Sequence, residues 1–363
     1  MLSNIDKSRR HRYLLIIVVT VQFLYILKPS DVVSPIDPWQ IGHVVLHGKI
    51  PYHDFLFEYP PLAIVPMLIT NLFPRGWAFH VLALQAVVLE VLLYRLIFIE
   101  RDQDDKDKFL LLLLILFPLL SGGFDAYPMA AIAISAYLFA KHEMGAYVVA
   151  GLGTLIKLSP AQFWISARRV SKASVLVGVI TLACLIVPIL NTHRGDSDYV
   201  RYSIHRGVEV ESVAGSTHWI SQKITGGSAE FHYRFRTGQY NHANVAAAFW
   251  LALSVIGLLV VLLKPQFDIW KRSFLVVLLL LVGFKVLSPQ FIVWLIPVAA
   301  LLGGADFLIY LAIAVLTIAS VGLSKADNLF FGVIALRNAL LVYLAAVNLL
   351  TQLKSEKSAI SSR

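Results

Sequence analysis

Charge is scarce in this chain and cysteine nearly absent. Only 15% of the 363 residues are charged against 58% hydrophobic, too little polar surface to coat a soluble globule of this length. The single cysteine, Cys184, lies in an apolar run, which excludes a disulfide framework and a cysteine-based metal site. Internal repetition is thin as well. Ile-Lys-Leu-Ser-Pro at 156–160 and Phe-Lys-Val-Leu-Ser-Pro at 284–289 share a Lys followed closely by Ser-Pro, too short a likeness to establish a duplication.

What the chain has in abundance is apolar runs long enough to cross about 30 Å of hydrocarbon. Runs near 13–28, 77–99, 109–122, 125–140, 174–190, 244–263, 306–324 and 331–351 read as helical spans. Three further stretches, 60–74, 145–167 and 273–302, are less regular. The last two contain the Lys and Ser-Pro turns, and proline disfavours helix in the residue before it, so each reads as a pair of short helices. The fold expected is all-α, a polytopic membrane protein with about 10–12 membrane helices including broken or half-helices.

The net charge of +9 sits at segments flanking spans: Lys-Ser-Arg-Arg-His-Arg at 7–12, Arg168/Arg169/Lys172, Lys264/Lys271/Arg272 and Lys354/Lys357/Arg363. That is the distribution of cytoplasmic loops rather than of a nucleic-acid surface. The first cluster with Tyr13 to Leu27 reads as an uncleaved anchor, because Lys28–Pro35 offers no small-residue cleavage site. One membrane domain is expected over 1–363, with both termini and the 352–363 tail cytoplasmic. Loops 29–60 and 191–243 then lie outside. The second outer loop carries Arg194, Arg201, Arg206, Lys223, Arg234 and Arg236, cations that the rule places inside unless they meet a partner such as a lipid phosphate.

Chemistry concentrates at 37–63, Asp-Pro-Trp-Gln-Ile-Gly-His through Tyr-Pro-Pro-Leu-Ala. Asp37 before Pro38 is a helix-start signal. It either caps that helix or, held just outside the hydrocarbon, accepts a proton from a hydroxyl as general base. Ile41, Val44 and Val45 would form an apolar stripe, with Gln40, His43 and His47 on another face. The two histidines at i, i+4 lack a third ligand at suitable spacing, so a solvated face is the simpler reading and no metal is indicated. Glu58 is either a second acid of a site or an interfacial side chain. Along 201–215, Arg206 and His205 offer donors to a phosphate, beside Glu209 and Glu211; the alternative is a solvated, charge-balanced loop. Lys157 and Lys285, each in an apolar segment beside a helix break, either snorkel or meet an anion, whether ligand or internal carboxylate.

Four stretches, Gly-Lys-Ile-Pro-Tyr-His-Asp-Phe-Leu-Phe-Glu-Tyr-Pro-Pro-Leu-Ala at 48–63, Ile-Lys-Leu-Ser-Pro at 156–160, His-Arg-Gly-Val-Glu-Val-Glu-Ser-Val at 205–213 and Leu-Ser-Pro-Gln-Phe-Ile-Val-Trp-Leu-Ile-Pro at 287–297, carry a resemblance in order along the chain. Together they resemble glycosyltransferase family 87 of the GT-C superfamily, polyprenyl-phosphate-mannose-dependent mannosyltransferases. The resemblance implies inverting transfer of a sugar, mannose in that family, from a polyprenyl-phosphate donor to a glycolipid or glycan hydroxyl outside the cytoplasm. An Asp of the first outer loop would be the base. Asp37 matches by position, but it precedes Gly48 by 11 residues, where the family leaves about one helical turn more and a Tyr after the Asp, so Asp31 is the alternative. Lys157, His205, Arg206 and Lys285 become candidate donor-phosphate ligands. Tyr52, Asp54, Tyr59, Glu209, Glu211 and Gln290 become candidate substrate contacts. No cofactor is implied, and without an Asp-x-Asp pair in the loop a divalent metal is not indicated. A transporter or flippase of lipid-linked sugars would share the helical plan, but would carry acids near the midplane rather than in outer loops.

Overall fold

The computed structural model describes residues 2–27, 37–190, 204–234, 237–240, 242–263, 268–323 and 327–361. Asp31 and residues 191–203 of the second loop lie outside them. The chain divides into two compact units, Met1–His205 and Arg206–Arg363.

The first unit is built from α1 (Leu2–Leu27), α2 (Pro38–Leu46), α3 (Ile64–Thr70), α4 (Ala78–Leu93, extended by a wider turn to Phe98), α5 (Gln103–Ser121), α6 (Ala126–Phe139), α7 (Glu143–Ile156), α8 (Phe163–Ala167) and α9 (Lys172–Leu190). α1 packs on α5 and α4, α6 on α7, and α7 on α9. Close approach at α7 depends on its glycines: a Cβ at Gly153 would overlap Ala131 of α6, and one at Gly151 would sit 2.6 Å from Thr181 of α9, the small-residue contact typical of helices packing in lipid. α7 ends at Ile156, and the chain then turns through Ser159–Gln162 into α8, as Pro160 requires.

The second unit contains β1 (Val208–Glu209), α10 (Val213–Thr225), β2 (His232–Arg234), β3 (Thr237–Tyr240), α11 (Asn244–Leu263), α12 (Ile269–Gly283), α13 (Ile296–Ala300), α14 (Gly304–Val321) and α15 (Asn328–Ser361). A tight 3-10 stretch, Pro289–Leu295, separates α12 from α13, the second break expected from sequence. The three short strands form an antiparallel sheet in the order β1–β3–β2. Much of the stretch expected as an outer loop is therefore folded, and Val208, Val210, Ala214 and Tyr240 form a core with Phe330 and Ile334 of α15.

Among the described residues, five helices are long and apolar enough to cross a membrane: Lys7–Leu27, Arg75–Phe98, Asn244–Leu263, Gly304–Val321 and Asn328–Thr351. Shorter apolar helices accompany them, among them Ala126–Phe139 and Glu143–Ile156. Ile16, Val19 and Phe23 of α1 and Val255 and Ile256 of α11 face outward and exposed. Apolar rows of that extent need lipid as their solvent, and the chain is an all-α, multi-pass membrane protein.

Candidate active site

The four signature stretches fold as two pairs, one in each unit. In the first unit the 48–63 stretch packs with the end of α7, so the Tyr-Pro-Pro turn and the Ile-Lys-Leu-Ser-Pro turn become neighbours. Tyr52, Phe57, Ala63, Met67, Leu82 and Phe124 form their shared core, with Ile156 and Tyr59 against it. Pro60 is extended, as the proline after it demands, and Pro61 opens the short turn Pro61–Ala63. Tyr52 holds φ at 68°, a left-handed backbone that costs a non-glycine residue on the order of 1 kcal/mol. It is held there by its buried ring and by the hydroxyl, which donates to the Tyr59 carbonyl at 2.5 Å.

Asp37 is engaged at both oxygens. One accepts from the Gln40 N–H at 3.1 Å, which makes Asp37 the cap of α2, and the other accepts from the Arg75 guanidinium at 2.6 and 3.0 Å. The cap reading is thus correct as geometry, and Arg75 is a partner that the sequence reading missed. Asp54 is engaged too, by the Ile50 N–H and by His53, each at 2.8 Å. That amide first and the histidine second hold its carboxyl below the ordinary range. Glu58 differs: it is half-buried, and among the described residues it makes no hydrogen bond or ion pair. His47 is exposed and His43 half-buried, as a solvated face requires. Their rings lie 4.0 Å apart, and Trp39 stacks on His43 at 4.6 Å.

Lys157, the residue that ends α7, donates to Asp125 at 2.6 Å. Asp125 heads α6 and its side chain is only 4% exposed. Of the alternatives for Lys157, the internal carboxylate is the one found. Asp125 stands in Ser-Gly-Gly-Phe-Asp-Ala-Tyr-Pro, and an acid between two apolar runs was the signal available.

In the second unit the 205–213 and 287–297 stretches meet. The Arg206 guanidinium pairs with Glu209, and it lies 3.4 Å from the Thr237 hydroxyl. The other Glu209 oxygen faces the Ser288 hydroxyl at 3.4 Å, and the Glu209 N–H donates to the Lys285 carbonyl at 2.8 Å. Lys285 sits in the turn after α12, where burial first and the Arg206 charge second hold its ammonium below the usual lysine range. Gln290 is half-buried with no hydrogen bond among the described residues, and His205 is exposed.

The solvated-loop reading of this stretch is overturned at its centre. Glu209, Glu211 and Ser212 are buried, because Arg337 and Asn338 of α15 supply hydrogen bonds to the Glu211 and Ser212 carbonyls. Close packing adds to this, since a Cβ at Gly215 would overlap the Glu209 carbonyl. Arg337-Asn338 in the middle of an apolar run was a legible signal that the sequence reading passed over. So was Glu90 on α4, buried and hydrogen-bonded by Gln22 of α1 at 2.6 Å, an exception to the concentration of acids in outer loops.

A family model, Glycosyltransferase family 87, matches residues 57–289, which takes in part of each unit's cluster. The chain belongs to glycosyltransferase family 87. Neither curated proteins nor solved structures give a match. The family 87 match begins at Phe57 and so includes Glu58, Lys157, Arg206, Glu209 and Lys285, while Asp31, Asp37, Tyr52 and Asp54 precede it. As a family 87 protein the chain is a membrane glycosyltransferase.

Proposed function

We propose that this glycosyltransferase transfers mannose from a polyprenyl-phosphate donor to a hydroxyl of a glycolipid or glycan on the extracytoplasmic side, with inversion. The observation that carries the donor class is the second-unit cluster, in which Arg206 and Lys285 crowd together beside Glu209. A guanidinium and an ammonium brought together in a partly buried cluster are the charge-assisted donors that a phosphate ester binds. As the bond from anomeric carbon to phosphate oxygen breaks, negative charge grows on that oxygen, and fixed cations in a dry setting stabilise it. His205, adjacent in sequence to Arg206, is assigned the same phosphate, and Lys157, engaged by Asp125 in the first unit, is kept as a further candidate phosphate ligand. Tyr52, Asp54, Tyr59, Glu209, Glu211 and Gln290 remain the assigned substrate contacts.

The acceptor hydroxyl must lose its proton as its oxygen attacks the face opposite the departing phosphate. We assign that proton to a first-loop carboxylate, Asp37 with Asp31 as the alternative. Glu58, with no partner among the described residues, is assigned as the second acid of the site, free to hold acceptor hydroxyls. No metal enters these steps.

The test is purified protein in lipid nanodiscs, offered labelled mannose, glucose or a pentose on polyprenyl phosphate, and mannose on a nucleotide. Consumption of the polyprenyl-phosphate-mannose donor with release of polyprenyl phosphate is expected. Preference for a nucleotide donor overturns the donor class, and translocation of intact donor without release of polyprenyl phosphate identifies a flippase.

A further inference from the structure

The last apolar helix, α15, carries an arginine and an asparagine where lipid-facing residues would be apolar. Arg337 is fully buried and Asn338 nearly so. Arg337 stands nine residues beyond Asn328, the first residue of α15, roughly 14 Å along the helix. Cations at such depth are retained where they meet a specific partner. Here the partners are main-chain carbonyls together with the Ser216 hydroxyl and the Asn338 side-chain oxygen. Arg337 donates to the Glu211 carbonyl, and Asn338 Nδ2 lies within hydrogen-bond reach of the Glu211 carbonyl at 3.1 Å, the Ser212 carbonyl at 3.0 Å and the Ser216 hydroxyl at 2.8 Å. Arg337 also bonds the Asn338 side-chain oxygen at 3.0 and 3.1 Å, which fixes the amide's orientation with its nitrogen toward those acceptors.

Residues 210–212 link β1 to α10: the Val210 N–H still donates to the Gly238 carbonyl of β3 at 3.0 Å and the Ser212 carbonyl accepts the first α10 bond from the Ser216 N–H at 2.9 Å, while the Glu211 carbonyl between them is met by Arg337 and Asn338. Irregular backbone buried within a membrane protein persists only where side chains satisfy it. From this turn a chain of contacts leads to Arg206. The Ser212 N–H and hydroxyl both donate to the Glu209 carbonyl, at 3.0 and 2.7 Å, and the Glu209 carboxylate holds the Arg206 guanidinium.

We propose that Arg337 and Asn338 are positioning residues for donor binding: by fixing the 209–212 turn they set where Glu209 presents the Arg206 guanidinium. The proposal rests on the phosphate role assigned to Arg206 above. Neither residue touches substrate in this scheme, and both lie beyond the family match, which ends at Pro289.

The experiment is steady-state kinetics with a polyprenyl-phosphate-mannose donor on Asn338→Leu, which keeps the branched side-chain shape but removes every Nδ2 donor, and on Arg337→Lys, which keeps the buried charge but loses the planar fork. Each is also made in an Arg206→Ala background, and thermal unfolding in detergent reports folding. Misplacing a reacting or binding group by 1 Å costs on the order of 100-fold. Folded Asn338→Leu should therefore raise donor KM by about 10-fold or more and leave acceptor KM unchanged, with Arg337→Lys following in the same direction. In the Arg206→Ala background the same changes should add little, since the group they position is gone. Wild-type donor KM in either folded variant overturns the proposal. So does a loss that multiplies fully with that of Arg206→Ala, the mark of a general structural effect. If Arg206→Ala itself leaves donor KM unchanged, the phosphate assignment fails and the proposal fails with it, an outcome distinct from the other two. Should Asn338→Leu not fold, Arg337→Lys carries the same comparison.

Discussion

At the residue scale the decisive comparison is among carboxylates of the first loop. Asn caps helices about as well as Asp, and the Arg75 pair is an exposed one, with side-chain exposures of 65% and 31%, worth about 0–1 kcal/mol. Asp37→Asn should therefore keep expression and unfolding temperature while turnover falls about 10²- to 10⁴-fold, the usual contribution of a general base. Turnover assays on Asp37→Asn, Asp31→Asn and Glu58→Gln in parallel check this. Full activity in Asp37→Asn with loss in Asp31→Asn moves the base to Asp31, and full activity in all three removes the first-loop base altogether. Lys285 supplies a prediction in pH. Its protonated form is the one that holds phosphate, and its pKa lies below the ordinary lysine value because of burial and the Arg206 charge. Donor KM should accordingly rise as pH climbs through that lowered value, at a pH where an exposed lysine is still charged. Arginine stays charged throughout this range, so Lys285→Arg should abolish the alkaline rise, and an unchanged pH profile in that variant removes Lys285 from the phosphate site.

At the scale of elements, the break after α7 is held by the buried pair of Lys157 and Asp125. Removing one member of such a pair strands a charge and costs about 3–5 kcal/mol, whereas replacing both with neutral groups is often close to neutral. Lys157→Met should destabilise the protein to about that extent, and Asp125→Asn/Lys157→Met should recover most of it, as read by thermal unfolding in detergent. Donor KM separates the roles: a stable double variant with raised donor KM supports Lys157 at the phosphate, and one with wild-type donor KM leaves Lys157 a structural residue. Both helix breaks were legible in sequence, because Pro160 and Pro289 restrict the residues before them wherever they occur. The small sheet was not. Its strands are two to four residues long, too short for an alternating pattern to register, and β1 is set by pairing Val208 with Tyr240, 32 positions further along the chain.

For the whole molecule, the distribution of Lys and Arg sets an orientation that remains to be measured. It places 100–108, 168–173 and 264–272 inside, and 30–59 and 191–243 outside. Asp104→Cys in a Cys184→Ser background should be labelled by an impermeant maleimide only after the cytoplasmic face is opened, whereas a cysteine at Lys49 should label from outside. Labelling of position 104 from outside in intact cells inverts the orientation and with it the side on which transfer is proposed.

The sequence by itself determined the solvent and the class of this protein. Apolar runs of membrane length and sparse charge are local properties, readable without knowing what packs on what, and the four signature stretches carried the resemblance that the match over 57–289 bears out as family membership. The tertiary structure decided the partners. Nothing local to Asp37 calls for Arg75, and nothing local to Lys157 calls for Asp125; each pair is made by helices that pack for apolar reasons and bring the charges together. The same holds for the 205–213 stretch, which reads as a polar loop until Arg337 and Asn338, more than 120 residues away, satisfy its carbonyls. Burial of a polar segment depends on a distant donor, and that dependence is not written in the segment itself.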